Sequence, residues 1–74
     1  MLYRVVGCSP TEIDDDRFFN LTLADSEGNR RYLSSLPYSF FARVPKESDL
    51  IEPIFRGGVV QEIMSGGERI YSRQ

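Results

Sequence analysis

The stretch RFFNLTLADSEGNRRYL, residues 17–33, decides the fold of this chain. Its first half alternates between two faces, with Phe19, Leu21 and Leu23 on one of them, which is the pattern of a strand with one buried face. The segment DSEG, residues 25–28, is typical of a type I turn closed by a glycine with positive φ. The chain after this turn is expected to run back antiparallel, so the stretch predicts a β-hairpin.

Size and composition limit the rest of the molecule. The chain has 74 residues, of which 41% are hydrophobic and 27% charged, and its formal net charge is −2. This length predicts a single small domain, residues 1–74, that buries roughly 60% of the surface its unfolded chain would expose. The acidic balance argues against a protein that depends on non-specific attraction to phosphate.

Cysteine use indicates the compartment. Cys8 is the single cysteine, so the chain can form neither an intrachain disulfide nor a cysteine-based zinc site. The sequence also has no cleavable signal pattern and no apolar run of bilayer-spanning length. These features predict a cytoplasmic protein that is not embedded in a membrane.

The segments before the hairpin predict one strand and one loop. Residues 2–8 are rich in β-branched and aromatic side chains and predict the first strand, which Ser9-Pro10 is expected to end. Residues 11–16 form an acidic connection. Its aspartates lack the glycine and the distal glutamate of a calcium-binding loop, so no metal site is predicted there.

The segment after the hairpin predicts a helix. Pro37 suits a first helical position, and Pro45 would stop the helix. Phe40, Phe41 and Val44 fall on one face at helical spacing. Residues 36–44 are therefore expected to form one short helix of about two turns, held in place by packing of its aromatic side chains on the sheet.

The last part of the chain predicts hairpins joined by glycine pairs. Gly57-Gly58 and Gly66-Gly67 supply the positive φ angles that two-residue turns need. With the second pair as the loop, Ile63 is expected to face Ile70. Pro53 lacks a backbone donor, which favours an edge position or a bulge for its strand. Three further strands are predicted over residues 50–56, 59–65 and 68–72.

The fold class follows from the order of these elements. Three strands, one short helix between strands 3 and 4, and two or three further strands predict a mainly β (small α+β) fold. The expected architecture is a five- or six-stranded antiparallel OB-like or SH3-like barrel or sheet. If residues 36–44 are not helical, a simple antiparallel sheet covered by the aromatic cluster is the alternative. Element order alone does not establish function.

Catalysis is not predicted. The chain has no histidine, which removes the commonest general base, the usual nucleophile triads and the commonest metal ligand. The glycine pairs are not followed by a helix, so they match neither a dinucleotide fingerprint nor a phosphate-binding loop. We therefore expect no catalytic residue, no metal and no small-molecule cofactor.

The leading functional hypothesis is a non-enzymatic protein-binding module, an accessory, adaptor or inhibitor protein that acts on a larger protein partner. Tyrosine and arginine are the side chains most often found as interface anchors. A second copy of the chain is the alternative partner, since the final strand RIYSR, residues 69–73, can pair edge to edge into a homodimer. The residues expected at the interface are Arg30, Arg31, Tyr32, Tyr38 and Arg43.

The alternative hypothesis is an OB-like domain that binds single-stranded nucleic acid. Such a domain stacks bases on aromatic side chains, while basic side chains follow the phosphate backbone. Against it stand the acidic net charge and the need of a small barrel for aromatic residues in its own core. The residues that would form this surface are Arg4, Phe18, Arg30, Tyr32, Arg69 and Tyr71.

Overall fold

The computed structural model describes residues 1–73 and is built almost entirely from β-strands. The elements are β1 (Tyr3–Ile13), β2 (Asp16–Ala24), β3 (Arg30–Pro37), a 3-10 turn (Tyr38–Phe40), β4 (Leu50–Arg56), β5 (Val59–Ser65) and β6 (Glu68–Ser72). Each pair of neighbouring strands is antiparallel, and together they form one open six-stranded sheet with the order β3-β2-β1-β4-β5-β6. The predicted mainly β, antiparallel class is confirmed.

The sheet consists of two three-stranded halves that share one core. β1 pairs with β4 only where Tyr3 faces Ile51 and Arg4 faces Leu50, so the ladder between the halves is short. Burial of apolar side chains from both halves in a common cluster supplies the main stabilisation. This core comprises Val5, Phe19, Leu21, Leu23, Leu33, Leu36, Ile51, Val60, Ile63, Ile70 and Tyr71.

The β2–β3 hairpin forms as the sequence predicts. Phe19, Leu21 and Leu23 are all buried. Gly28 has a φ of 84°, and its N–H donates to the Asp25 carbonyl at 3.1 Å, which closes the type I turn. The Asp25 carboxylate accepts the Glu27 and Asn29 backbone N–H groups, each at 2.9 Å, so side-chain bonds reinforce the turn.

The first strand is longer than predicted. β1 continues through Ser9 and Pro10 to Ile13, and a two-residue turn at Asp14 and Asp15, with φ angles of 50° and 69°, joins it to β2. Beyond Arg4, the edge of β1 away from β2 pairs with no other described strand. Pro10 therefore removes no ladder hydrogen bond there, and aspartate tolerates the left-handed turn conformation.

Residues 36–44 do not form the predicted two-turn helix. Only Tyr38–Phe40 is helical, as a single 3-10 turn, and the chain then becomes extended. The aromatic side chains join one cluster: Tyr38 and Phe41 pack against Phe19, with ring centroids 5.5 and 5.8 Å apart, and Phe41 also packs against Tyr71 at 4.7 Å. These tertiary contacts outweigh the local helical spacing.

The glycine hairpins are confirmed, but one register prediction is wrong. Gly57, Gly58, Gly66 and Gly67 all have positive φ. Ser65 faces Glu68 and Met64 faces Arg69 as expected, whereas Ile63 faces Tyr71. Opposite Ile63 and Met64 of β5, strand β6 has one additional residue, Ile70, which forms a β-bulge. The bulge turns both Ile70 and Tyr71 towards the core.

Pro53 lies in a strand that has neighbours on both sides in the sheet order. It is buried and faces Ile63 of β5, and the predicted bulge follows at Ile54 and Phe55. The β1 ladder reaches only Leu50 and Ile51, so the missing donor of Pro53 is not needed on that side.

The region described, residues 1–73, contains no helix with the length and apolar character required to cross a bilayer.

Candidate functional site

The three consecutive residues Arg30, Arg31 and Tyr32 of β3 do not form one surface. Arg31 faces the buried Leu23 across the β2–β3 ladder and therefore points to the core side of the sheet. Arg30 faces Ala24 and Tyr32 faces Thr22, so these two side chains point to the outer face. The strand alternation separates the predicted interface residues into two groups.

Arg31 lies at the rim of a groove between the two halves of the sheet. The groove has a volume of about 260 Å³ and is bordered by residues 31–36 of β3 and by residues 58–60 at the start of β5. Phe55 and Arg73 complete its lining. We call this feature the β3 groove. Among the described residues, its lining contains two arginines and no carboxylate.

Within residues 1–73, the edge of β3 beside the groove carries unpaired backbone groups. β3 is the terminal strand of the described sheet, in which it pairs with β2 alone. The Asp25 N–H donates to the Asn29 carbonyl at 3.0 Å, so Asp25 and Asn29 form a hydrogen-bonded pair at the turn end of the β2–β3 ladder. Hydrogen-bonded and non-hydrogen-bonded pairs alternate along the ladder from this point. From this bond, Arg31 and Leu33 turn their backbone groups towards β2, whereas Tyr32 turns its N–H and C=O away from β2. The edge can therefore accept another strand.

Two other predicted interface residues, Tyr38 and Arg43, lie outside the lining of the β3 groove. Tyr38 is half-buried beside Phe19, and the Arg17 guanidinium carbon lies 4.6 Å from the centroid of its ring. Arg43 contacts the carboxylates of Asp49 and Glu68, each at 3.5 Å. Both side chains therefore have structural partners within the domain.

The residues predicted for nucleic-acid binding fall into two groups as well. Arg4 of β1 and Arg30 of β3 both face Ala24 of β2, so the two arginines lie on either side of Ala24 on the same face of the sheet. Tyr32 and Phe18 lie on the same side of the sheet, which we call the outer face. Strand alternation places Asn20 and Thr22, both uncharged, between Phe18 and Ala24 on this face.

The remaining two candidates for nucleic-acid binding are separate from the outer face. Arg69 donates to Glu62 at 2.8 Å in the other half of the sheet. Tyr71 is only 1% exposed and packs against Phe41, so its ring is not available for base stacking. The prediction of Tyr71 as a stacking residue is wrong because the β6 bulge turns it inward.

Phe55 was not among the predicted site residues, although it lies directly beneath Arg31. The Arg31 guanidinium carbon is 4.0 Å from the centroid of the Phe55 ring, close enough for a cation–π contact. Phe55 belongs to β4, far from β3 in the sequence. No local pattern indicates such a contact, since it depends on how the two halves pack.

Among residues 1–73, the groups with clearly shifted pKa values are Asp25 and Tyr71. Burial opposes ionisation of the Asp25 carboxyl, but the backbone N–H groups of Asn29 and Glu27 lower its pKa below the usual 3.8. Burial raises the pKa of Tyr71 above 10.0, and the positive charge of Arg73 offsets this only in part. Neither group lines the β3 groove. Both shifts therefore reflect folding rather than chemistry at the groove.

Comparison of the chain with protein-family models, with curated protein sequences and with solved structures found no significant match. The inference of function therefore rests on the geometry of the β3 groove and of the outer face.

Proposed function

We propose that this domain is a non-enzymatic protein-binding module that acts as an accessory, adaptor or inhibitor protein on a larger protein partner. The observation that carries the proposal is the unpaired edge of β3 beside a groove. Extended segments bind to such edges by adding a strand, with main-chain hydrogen bonds for affinity and side-chain pockets for specificity. A cytoplasmic location, which the single Cys8 favours, belongs to the same proposal.

The β3 groove offers the parts that strand addition needs. The Tyr32 N–H and C=O supply one donor and one acceptor at the edge. Leu33, Leu36 and Val60 line the groove with apolar surface. The Tyr32 side chain is 68% exposed, so it can cover the added strand from the outer face. Tyrosine and arginine beside a free edge make a suitable anchor set for a protein partner.

A second copy of this chain is a weaker candidate for the partner. The predicted homodimer pairs β6 edge to edge, but the Ala42 N–H already donates to the Ile70 carbonyl at 2.9 Å. Phe41 also forms a bridge with Tyr71. These contacts occupy part of the β6 edge, which favours β3 as the binding edge.

The finer fold class is part of this proposal. We infer a partly open OB-like or SH3-like barrel in which β1 pairs with both β2 and β4 and the opening lies between β3 and β5. The lining of the β3 groove by residues from both strands supports this inference. A partner strand would fill the opening, and closure of a barrel removes exposed edges.

The test is affinity capture from lysate of the native host, with nuclease added, using variants at one edge position. Tyr32→Pro removes the free N–H without removing a β2 ladder bond. Tyr32→Val keeps the N–H and serves as the matched control. We expect a discrete protein to be retained by the wild type and, in smaller amount because the tyrosine ring is lost, by Tyr32→Val, but not by a folded Tyr32→Pro domain. Equal retention by all three would overturn strand addition at β3.

A second candidate function is supported by the outer face. Arg4, Phe18, Arg30 and Tyr32 lie on one side of β1–β3, the arrangement that OB-type domains use for single strands. Binding of labelled oligothymidine should then weaken steeply with salt and with Arg30→Ala. Arg69→Ala is the control, because Arg69 pairs with Glu62 in the other half. Captured material that disappears with nuclease would favour this function.

A further inference from the structure

The geometry points to an acidic extended segment as the occupant of the β3 groove, with acidic and apolar side chains two residues apart. This inference rests on the proposed function, since it names the chemistry of the partner strand at the same edge. It follows from the charge of the groove and from the order of side chains along β3.

The charge of the groove is unbalanced. Arg31 and Arg73 line it, and no acidic residue of the described part of the chain does. Two arginines elsewhere in the domain differ in this respect: Arg43 contacts Asp49 and Glu68, and Arg69 contacts Glu62. Within residues 1–73, no carboxylate oxygen lies within 4.0 Å of the Arg31 guanidinium.

The Phe55 ring holds Arg31 in a defined position. A guanidinium stacked on an aromatic ring loses less side-chain freedom when it binds a carboxylate, because its fork is already oriented. The planar fork also matches the two oxygens of a carboxylate. An aspartate or glutamate of the partner therefore finds a pre-positioned donor at the rim of the groove.

The neighbouring positions of β3 favour apolar side chains. On the core side, Arg31 is followed by Leu33, which is buried. Opposed residues in adjacent strands share one face, so an added strand would place one side chain against Arg31 and the side chain two residues away against Leu33. The favoured pattern is acidic, any residue, apolar.

The test uses three acetylated and amidated synthetic peptides, TETVTETV, TQTVTQTV and TKTVTKTV, titrated into the labelled full chain and followed by amide NMR. We expect TETVTETV to shift the amides of residues 30–36 and 58–60 and to bind about three- to tenfold more tightly than TQTVTQTV. TKTVTKTV should bind most weakly. Arg31→Gln should remove most of the preference for the glutamate peptide, and Arg31→Lys should keep only part of it, because lysine keeps the charge but loses the planar fork. Arg69→Gln should retain the full preference.

Three other outcomes would overturn the inference, and each can be distinguished from failure of the proposed function. Equal binding of the glutamate and glutamine peptides at β3 removes the acidic preference and leaves strand addition standing. No shift of β3 amides with any peptide also rejects the inference, while the Tyr32→Pro capture decides the proposed function separately. If oligothymidine shifts the groove amides instead, the groove binds nucleic acid rather than an acidic protein segment.

Discussion

The guanidinium of Arg31 lies over the ring of Phe55, with its central carbon 4.0 Å from the ring centroid. Arg31 belongs to β3 and Phe55 to β4, two strands that are not neighbours in the sheet. The contact therefore joins the two halves of the domain at the rim of the β3 groove. It also orients the side chain that we expect to bind a carboxylate of the partner.

This contact should give a measurable coupling energy. In a double-mutant cycle with Arg31→Ala and Phe55→Ala, we expect about 0.5–1 kcal/mol of coupling in the free energy of unfolding, as for partly exposed cation–π pairs. Urea melts of the four proteins measure it. The control cycle uses Arg69→Ala with Phe55→Ala, for which the losses should add within about 0.5 kcal/mol. Additive losses in the first cycle would contradict the stacking.

The two adjacent phenylalanines after β3 should contribute unequally to stability. Phe41 packs against both Phe19, at 5.8 Å between ring centroids, and Tyr71, at 4.7 Å, whereas Phe40 packs against Tyr71 at 6.1 Å. We expect Phe41→Ala to lower the free energy of unfolding by about 3 kcal/mol, at the low end for a phenylalanine because its ring is half-buried. Phe40→Ala should cost about 1–2 kcal/mol.

Chemical denaturation of the two variants under identical conditions checks this order. Comparable losses, or a larger loss for Phe40→Ala, would show that the aromatic cluster is not centred on Phe41. Unchanged amide shifts outside residues 18–20, 38–44 and 68–72 would establish that both variants keep the sheet.

The Asp25 turn should make stability depend on acid pH. The pKa of Asp25 is lowered below 3.8 in the folded protein, so its contribution is complete above that pH and disappears as the pH falls through the folded-state pKa. We expect Asp25→Ala to be less stable than the wild type at neutral pH, with a difference that shrinks below pH 3.8. Asp25→Asn keeps an acceptor oxygen without the charge and should lose less. A difference independent of pH would contradict this account.

The hydroxyl of Tyr71 should be dispensable for stability. It is buried and has no hydrogen-bond partner within the described residues. An unsatisfied buried hydroxyl is destabilising, so Tyr71→Phe should leave the free energy of unfolding unchanged or raise it by about 1 kcal/mol at neutral pH. A clear loss of stability would instead show that the hydroxyl has a partner, such as a buried water.

Alkaline pH should widen the difference between Tyr71→Phe and the wild type. Because burial raises the folded-state pKa of Tyr71 above 10.0, its proton stays bound while the unfolded chain ionises. The associated stability is present below pH 10.0 and is lost as the pH rises through the folded-state pKa. Tyr71→Phe has no hydroxyl to ionise at this position, so it should not lose this stability. Urea melts of both proteins from neutral pH to above pH 10.0 measure the difference in the free energy of unfolding.

Several elements could be predicted because their signals are local. Alternation in residues 17–24 indicated β2, and the glycine at position 28 indicated the turn that follows it. The Gly57-Gly58 and Gly66-Gly67 pairs likewise marked two hairpins. In each case the period of a strand or the φ requirement of a turn acts within a few residues.

The errors arose where neighbouring strands decide the outcome. Pro10 is tolerated within β1 because that edge is unpaired, which the segment itself does not reveal. Ile63 faces Tyr71 because the bulge inserts Ile70, and this bulge also withdraws Tyr71 from the surface. The grouping of Arg30, Arg31 and Tyr32 overlooked the alternation of their own strand, which sends Arg31 to the opposite face.

By itself, the sequence determined the strands, the glycine turns and the small antiparallel class, since alternation and backbone freedom are properties of short segments. Only the tertiary structure decided the β3 groove. Arg31, Phe55 and Arg73 come from three separate parts of the chain and meet because the two halves share one core. Burial of apolar side chains that are distant in the sequence brings these three residues together, and no local sequence pattern predicts their proximity.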